Sequence, residues 1–121
     1  MTQKVVVLGA SPKTERYSNK AVKMLLDYGH EVLPIHPTTD TIHDQACYKN
    51  LQAVQQSVDT ITLYVGEERS NKMLDAILAL QPQRIIMNPG AENPQLQKLA
   101  EKQGIEVVIG CTLVMLQTKQ F

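Results

Sequence analysis

The feature that most constrains the fold of this chain is a valine-rich apolar run, Lys4–Leu8, that ends directly at Gly9. A short apolar run without polar alternation is typical of a parallel strand that is covered by helices on both faces. Four more short strands are predicted, at residues 31–35, 59–65, 84–87 and 106–109. Amphipathic segments between them predict helices from about Ser18 to Gly29, over residues 67–80 and over residues 94–103.

Strands that alternate with helices predict an α/β fold, and 121 residues are enough for one domain over residues 1–121. We expect a single doubly wound parallel five-stranded Rossmann-like sheet, with the strand order 3-2-1-4-5 and a switch point beside the first strand. Ligands of such sheets bind outside the carboxyl ends of the strands, near the switch point. The segments expected at this rim are residues 9–18, 36–37, 64–67, 88–91 and 110–112.

Other segments are less periodic. Residues 38–47 are polar and predict a plain connection, residues 48–55 predict a short helix, and residues 112–116 read as an apolar tail. Pro34 lies inside the second strand and has no N–H to donate. It therefore predicts a strand near the edge of the sheet, or a local irregularity.

Composition and charge argue against several function classes. Lysine plus arginine number 12 and aspartate plus glutamate number 12, so the chain has no net charge with which to neutralise nucleic-acid phosphates in bulk. No apolar run approaches the roughly 20 residues that span a bilayer. The two cysteines, Cys47 and Cys111, set no disulfide framework, and His30, His36 and His43 are too dispersed to predict a metal site. We expect a cytoplasmic protein without a metal, nucleic-acid or membrane partner.

The loop after the first strand is rich in groups that bind phosphate. The N-terminus of the first helix offers free N–H groups and the positive end of the helix dipole. Ser11, Thr14 and Ser18 add hydroxyl donors, and Lys13 and Arg16 add positive charge. This combination predicts an anionic ligand.

The same loop lacks the dinucleotide fingerprint. Gly9 stands without the second and third glycines of G-x-G-x-x-G, and His36-Pro37 takes the place of the acid expected at the end of the second strand. The P-loop pattern is also absent. A nucleotide with an extra phosphate on its ribose suits a cationic loop and a histidine donor. Coenzyme A, with its 3′-phosphate and pyrophosphate, meets this description, and NADP meets it less well because the close-packing glycines are missing.

Residues 5–37 resemble the opening of the small stand-alone CoA-binding domain family, whose Rossmann-like members are similar to the CoA-binding domain of the succinyl-CoA synthetase α subunit. The family opens with a strand, G-A-S, a loop with an arginine and a serine, a helix ending in glycine, and a strand ending before proline. The matching positions here are Gly9-Ala10-Ser11, Arg16, Ser18, Gly29 and His36-Pro37. Further along the chain, the matches are Tyr48-Lys49-Asn50-Leu51, Val58-Asp59, Gly104-Ile105-Glu106-Val107-Val108 and Cys111.

The chain departs from the family pattern on the rim. The family commonly has asparagine at the position of His36. After the third strand it often has R-x-x-x-x-P, where this chain has YVGEER at residues 64–69. After the fourth strand it often has a Q-x-G type of stretch, where this chain has Asn88-Pro89-Gly90.

The resemblance implies coenzyme A, or an acyl-CoA, as the cofactor. The implied binding residues are Gly9, Ala10, Ser11, Lys13, Arg16 and Ser18 for the phosphates, His36 and Pro37 for adenine and ribose, Tyr64, Val65 and Gly66 for the pyrophosphate or pantetheine, and Asn88 for a pantetheine amide.

Two classes of function remain open. The first is a binding module that holds CoA or an acyl-CoA through the loop after the first strand and the carboxyl-end rim, without catalysis. Its expected protein partners are a second copy of the chain or a larger enzyme. The second is a small NADP- or CoA-dependent enzyme that uses Cys111 or His36. The sequence favours the binding module, because the second strand ends without the acid that an NAD enzyme needs.

Overall fold

A computed structural model describes residues 2–121 as an α/β fold built on one parallel sheet. The strands of this sheet are β1 (Lys4–Leu8), β2 (Glu31–Ile35), β5 (Thr60–Leu63), β6 (Arg84–Met87) and β7 (Glu106–Ile109). Two more strands, β3 (Thr41–Ile42) and β4 (Gln45–Ala46), form a separate antiparallel hairpin. The predicted fold class is confirmed.

The order of the strands in the sheet differs from the prediction. The observed order is β2-β1-β5-β6-β7, so the third sheet strand of the chain lies between the first and the fourth instead of beyond the second. β2 is the edge strand, as Pro34 requires, because a proline cannot donate a hydrogen bond to a second neighbouring strand. β5 is buried along its whole length, as an interior strand must be. The switch point therefore lies between β1 and β5, and the loops that follow these two strands meet at the rim.

Helices cover both faces of the sheet. On one face lie α1 (Tyr17–Asp27) and α5 (Thr112–Gln117), and on the other lie α3 (Leu74–Ala79) and α4 (Pro94–Lys102). The side chains of β1 alternate between the two faces of the sheet, so this strand packs against the helices on both sides. Val5 and Val7 pack with Leu25 of α1, and Val6 belongs to the hydrophobic cluster under α3 and α4. The three valines are fully buried, and each contributes about 1.5–3 kcal/mol to folding.

Three connections differ from the sequence expectations. Residues 38–47 include the β3–β4 hairpin, which is too short to show a period in the sequence. In place of a helix over residues 48–55 there is only a 3-10 turn, Leu51–Ala53, and the apolar tail is the helix α5. No helix within residues 2–121 has both the length and the hydropathy that crossing a membrane requires.

The predicted helix over residues 67–80 is interrupted. It consists of α2 (Glu67–Ser70), a 3-10 turn over Asn71–Met73, and α3. Polar side chains meet at the interruption: Asn93 Nδ2 donates to Ser70 Oγ at 2.7 Å and to Asn71 Oδ1 at 2.9 Å, and Ser70 Oγ donates to the backbone carbonyl of Glu67 at 3.2 Å. Serine and asparagine side chains compete with the helical backbone in this way. Asn93 Oδ1 accepts from the N–H of Leu96, which caps α4.

Candidate functional site

A cleft of about 730 Å³ opens at the carboxyl ends of β1, β2 and β5, next to the switch point. The loop after β1, the end of β2 and the loop after β5 form its walls, and residues 49–52 and 69–76 contribute the remaining sides. Pockets for small molecules typically hold about 300–1,000 Å³, so the cleft is large enough for a nucleotide cofactor.

Most of the predicted cofactor-binding residues lie together around this cleft. They are Gly9, Ala10, Ser11, Arg16, Ser18, His36, Pro37, Tyr64 and Val65. Lys13, Gly66 and Asn88 lie outside the lining. Lys13 is exposed, and its N–H donates to Ser11 Oγ at 3.1 Å, so its backbone shapes the loop.

Asn88 is a buried residue whose side-chain amide connects neighbouring elements of the fold. The residue is 1% exposed, and its Nδ2 donates to Thr62 Oγ1 at 2.7 Å and to the carbonyl of Leu63 at 2.9 Å. Its Oδ1 accepts from the N–H of Thr112 at 2.8 Å. These bonds tie β5, β6 and the start of α5 together. They use both amide protons, so the structure does not present this amide to a ligand in the cleft.

The N-terminus of α1 opens onto the cleft and lacks a side-chain cap. The sequence predicted a helix from about Ser18; the helix begins at Tyr17, and the extended Arg16 occupies the N-cap position. Arg16 makes no side-chain cap bond within the described chain, and an arginine side chain has no acceptor with which to make one. The first N–H groups of a helix have no intrahelical partner, so they remain free for an anion. Arg16 and Ser18 both line the cleft beside these N–H groups.

His36 is held by two backbone N–H groups. Its Nδ1 accepts from the N–H of Thr38 at 3.1 Å and from the N–H of Thr39 at 2.9 Å. A ring nitrogen that accepts hydrogen bonds carries no proton, so the proton of the neutral imidazole is on Nε2. The local turn therefore fixes His36 as an Nε2–H donor at the edge of the cleft.

Gly9 allows the two loops at the switch point to approach closely. Its φ is +93°, and a Cβ there would lie 2.9 Å from Val65 Cγ1 and 3.1 Å from the carbonyl carbon of Tyr64. Only glycine fits such a contact without displacing its neighbour. The glycine is thus needed first for packing of the β1 loop against the β5 loop, and this packing forms the floor of the cleft.

Positive charge dominates the cleft. Besides Arg16, its lining includes Lys49, Arg69 and Lys72, and no aspartate or glutamate within residues 2–121 is part of that lining. None of these three cations was among the predicted binding residues. The sequence contained a signal for two of them. Arg69 and Lys72 are three residues apart and follow a predicted strand, which is the same pattern that Lys13 and Arg16 show after the first strand. Lys49 lies on a long connection whose path only the tertiary structure shows.

Tyr64 is part of the cleft lining, and its side chain packs against the core cluster under α1, with the hydroxyl group buried. That hydroxyl makes no hydrogen bond to any residue that the structure describes. Burial raises the pKa of Tyr64 to about 12, because the charged phenolate would lose its hydration.

Cys111, the sequence candidate for a nucleophile, is the N-cap of α5 and lies outside the cleft lining. It is partly buried, and its thiol is not paired in a disulfide. Across residues 2–121, no group of three or more histidine, cysteine, aspartate or glutamate side chains is arranged to hold a metal ion.

Comparisons with known proteins identify a family. A family model described as a CoA binding domain matches residues 3–117. A curated protein of Bacillus subtilis (strain 168), "Uncharacterized protein YneT", is 19% identical over 108 residues, which are 89% of this chain and 80% of that protein.

Two solved structures share the fold. The first is a crystal structure of an uncharacterised protein whose sequence is 36% identical to this one, with a TM-score of 0.89. The match covers 100% of this chain and 99% of the other. A dinucleotide-forming acetyl-coenzyme A synthetase 1 of Ca. Korarchaeum cryptofilum, solved with phosphate and ADP, has a TM-score of 0.74 at 23% identity. In that case, 89% of this chain matches 25% of the synthetase chain, so the same fold also occurs as one part of a larger enzyme.

Proposed function

This chain belongs to the CoA binding domain family, and from that premise we propose that it binds coenzyme A or an acyl-CoA in the cleft at the switch point, without catalysis of its own. The observation that carries the proposal is the charge of the cleft. A chain with no net charge places four cations around one pocket, and no carboxylate of the described residues lines it. Such a pocket favours a ligand with several negative charges.

The pyrophosphate is proposed to lie at the N-terminus of α1. The free N–H groups of the first turn follow Arg16 directly, and Arg16 and Ser11 both line the cleft. Arginine can hold a phosphate through two parallel hydrogen bonds, which are stronger than bonds between neutral groups.

The ribose 3′-phosphate is proposed to interact with the other cations. Lys49, Arg69 and Lys72 belong to walls different from the α1 wall, so the cleft has positive charge on more than one side. His36 adds a neutral Nε2–H donor. A ligand with phosphates at two separate places uses this arrangement better than one with a single phosphate group does.

Apolar surface between the cations would hold the adenine ring and the pantetheine chain. Leu8, Ile35, Leu51, Met73 and Pro89 line the cleft between the charged residues. Binding sites for cofactors commonly combine apolar walls with a few convergent polar groups.

The first test measures CoA affinity by calorimetry in Arg16→Ala and in a matched control, Lys23→Ala. Lys23 is on the same helix, but it is exposed and paired with Asp27 at 3.1 Å, away from the cleft lining. A hydrogen bond to a charged group is worth about 1.5–3 kcal/mol, so Arg16→Ala should weaken CoA binding by roughly 10- to 150-fold. Lys23→Ala should bind like the parent. Unchanged affinity in a folded Arg16→Ala variant would refute the proposed phosphate site.

The second test identifies the ligand with a thermal-shift panel of CoA, acetyl-CoA, NADP, NAD and ATP. A ligand at 100 times its Kd stabilises the folded state by about 2.7 kcal/mol, which is easily seen in such a panel. We expect CoA and acetyl-CoA to stabilise the chain most, and 3′-dephospho-CoA to stabilise it less than CoA. A larger shift with NADP than with CoA would overturn the assignment.

A further inference from the structure

The β3–β4 hairpin turns through two residues in an uncommon backbone conformation. His43 has φ +48° and Asp44 has φ +65°, and these two residues form the whole loop between β3 and β4. A two-residue hairpin of this kind normally uses asparagine and glycine, because other side chains are strained at positive φ. Strain of this kind persists only when surrounding contacts fix it, and it often marks a functional position.

The His43 side chain is fixed by a contact with α1. Its Nε2 lies 2.8 Å from Asn19 Oδ1, and Asn19 is 4% exposed. Asn19 Nδ2 in turn donates to the carbonyl oxygen of Ser11 at 2.9 Å. Since the amide nitrogen faces Ser11, the amide oxygen must accept, and His43 must donate through Nε2–H. The three residues therefore form one directed chain of hydrogen bonds, from the hairpin to the loop after β1.

We propose that His43 is a positioning residue for the phosphate-binding loop, acting through Asn19, an inference that rests on the CoA-binding function proposed above. Ser11 lines the cleft, whereas Asn19 and His43 lie outside its lining. The pair therefore acts on the loop from outside the cleft and does not touch the ligand.

The physical reason is the orientation of two dipoles. A carbonyl oxygen in a loop that binds phosphate repels the ligand unless it is turned aside and satisfied by a donor. Asn19 Nδ2 satisfies the carbonyl of Ser11, whose peptide bond leads to Pro12. The Asn19 amide could present either its nitrogen or its oxygen to that carbonyl, and only the nitrogen binds it. His43, by donating to Oδ1, selects the productive orientation.

The test compares variants that relax the hairpin equally but differ in the imidazole. His43→Gly removes the imidazole and relieves the positive φ of residue 43. Asp44→Gly relieves the adjacent positive φ and keeps the imidazole, so it is the matched control. His43→Gln restores an N–H donor of similar reach. CoA affinity is measured by calorimetry for the parent and all three, and the side-chain amide signals of Asn19 are followed by NMR without ligand.

We expect His43→Gly to bind CoA about fivefold more weakly than the parent, the size of one net hydrogen bond between neutral groups. Asp44→Gly and His43→Gln should stay within about twofold of the parent on the same scale. The Asn19 amide signals should shift or broaden in His43→Gly and stay in place in Asp44→Gly.

Each alternative result has a separate meaning. Equal weakening in His43→Gly and Asp44→Gly would show that hairpin rigidity matters and the imidazole does not, which overturns the inference. Unchanged Asn19 signals and unchanged affinity in His43→Gly would overturn it as well. A parent chain that binds no CoA would refute the proposed function, while the Asn19 signals would still report whether His43 orients that amide.

Discussion

Gly9 provides the sharpest test of how the switch point is built. The perturbation is Gly9→Ala, and the matched control is Gly29→Ala, at the end of α1. Both glycines have positive φ, +93° and +87°, so both variants bear a similar backbone strain of about 1–2 kcal/mol. They differ in their surroundings: a Cβ at Gly9 meets Val65 Cγ1 at 2.9 Å, whereas no described atom lies within 4 Å of a Cβ at Gly29.

The contact at Gly9 adds a second cost. The neighbouring atoms include the carbonyl carbon and oxygen of Tyr64, at 3.1 Å and 3.2 Å, and a backbone cannot rotate away as a side chain can. Overpacking of this kind costs about 1–3 kcal/mol, so Gly9→Ala should be about 2–5 kcal/mol less stable than the parent. For a domain of this size, about 1 kcal/mol corresponds to about 4 °C, so the two variants should differ in Tm by about 4–12 °C.

The assay is thermal unfolding followed by circular dichroism, with CoA titrated into each folded variant. Gly9→Ala must displace the loop that contains Tyr64 and Val65, which line the cleft, so we also expect weaker CoA binding than in Gly29→Ala. Equal losses of Tm in the two variants would refute the argument that the β1 and β5 loops are in close contact.

The remaining predictions concern two buried groups beside the cleft. Since burial raises the pKa of Tyr64 to about 12, its phenol keeps its proton in the folded chain at pH values where the unfolded chain loses it. This residue should therefore leave stability unchanged below pH 10 and lower it as the pH rises toward 12. Tyr64→Phe should abolish the last phenolate signal in an ultraviolet titration, and a late signal that survives this substitution would contradict the assignment. Asn88→Ala leaves the buried N–H of Thr112 without its acceptor and removes the amide donor to Thr62 and Leu63, so it should cost about 2–4 kcal/mol in urea unfolding. A loss below about 0.5 kcal/mol, as at an ordinary surface position, would show that these bonds do not stabilise the junction.

Local sequence was sufficient for the positions of the main strands, because their signal is local. Each sheet strand was found to within three residues, since a run such as Lys4–Leu8 must be buried whatever follows it. The unusual Pro34 correctly indicated an edge. The hairpin around His43 and Asp44 was missed, because its two-residue strands carry no period and its turn lacks the expected glycine.

The site was predictable in part for the same reason. Residues directly after a strand, such as Ser11 and His36, must lie at the carboxyl rim in any parallel sheet, and the structure places them there. Asn88 also follows a strand, but its side chain points inward and is used by Thr62 and Thr112, which local sequence cannot show.

By itself, the sequence determined a parallel α/β sheet whose first loop is positively charged and leads into the N-terminus of a helix. It could do so because buried strands and amphipathic helices are recognised from the pattern of apolar residues within a short segment. Only the tertiary structure decided that β5 inserts beside β1, because that choice depends on the long connection over residues 36–59 and on which strand can serve as an edge. The same choice brings the β5 loop against Gly9, and the helix and turn that follow it bring Arg69 and Lys72 to the cleft of Arg16. Charges distant in sequence form one site only when the order of the strands makes them neighbours.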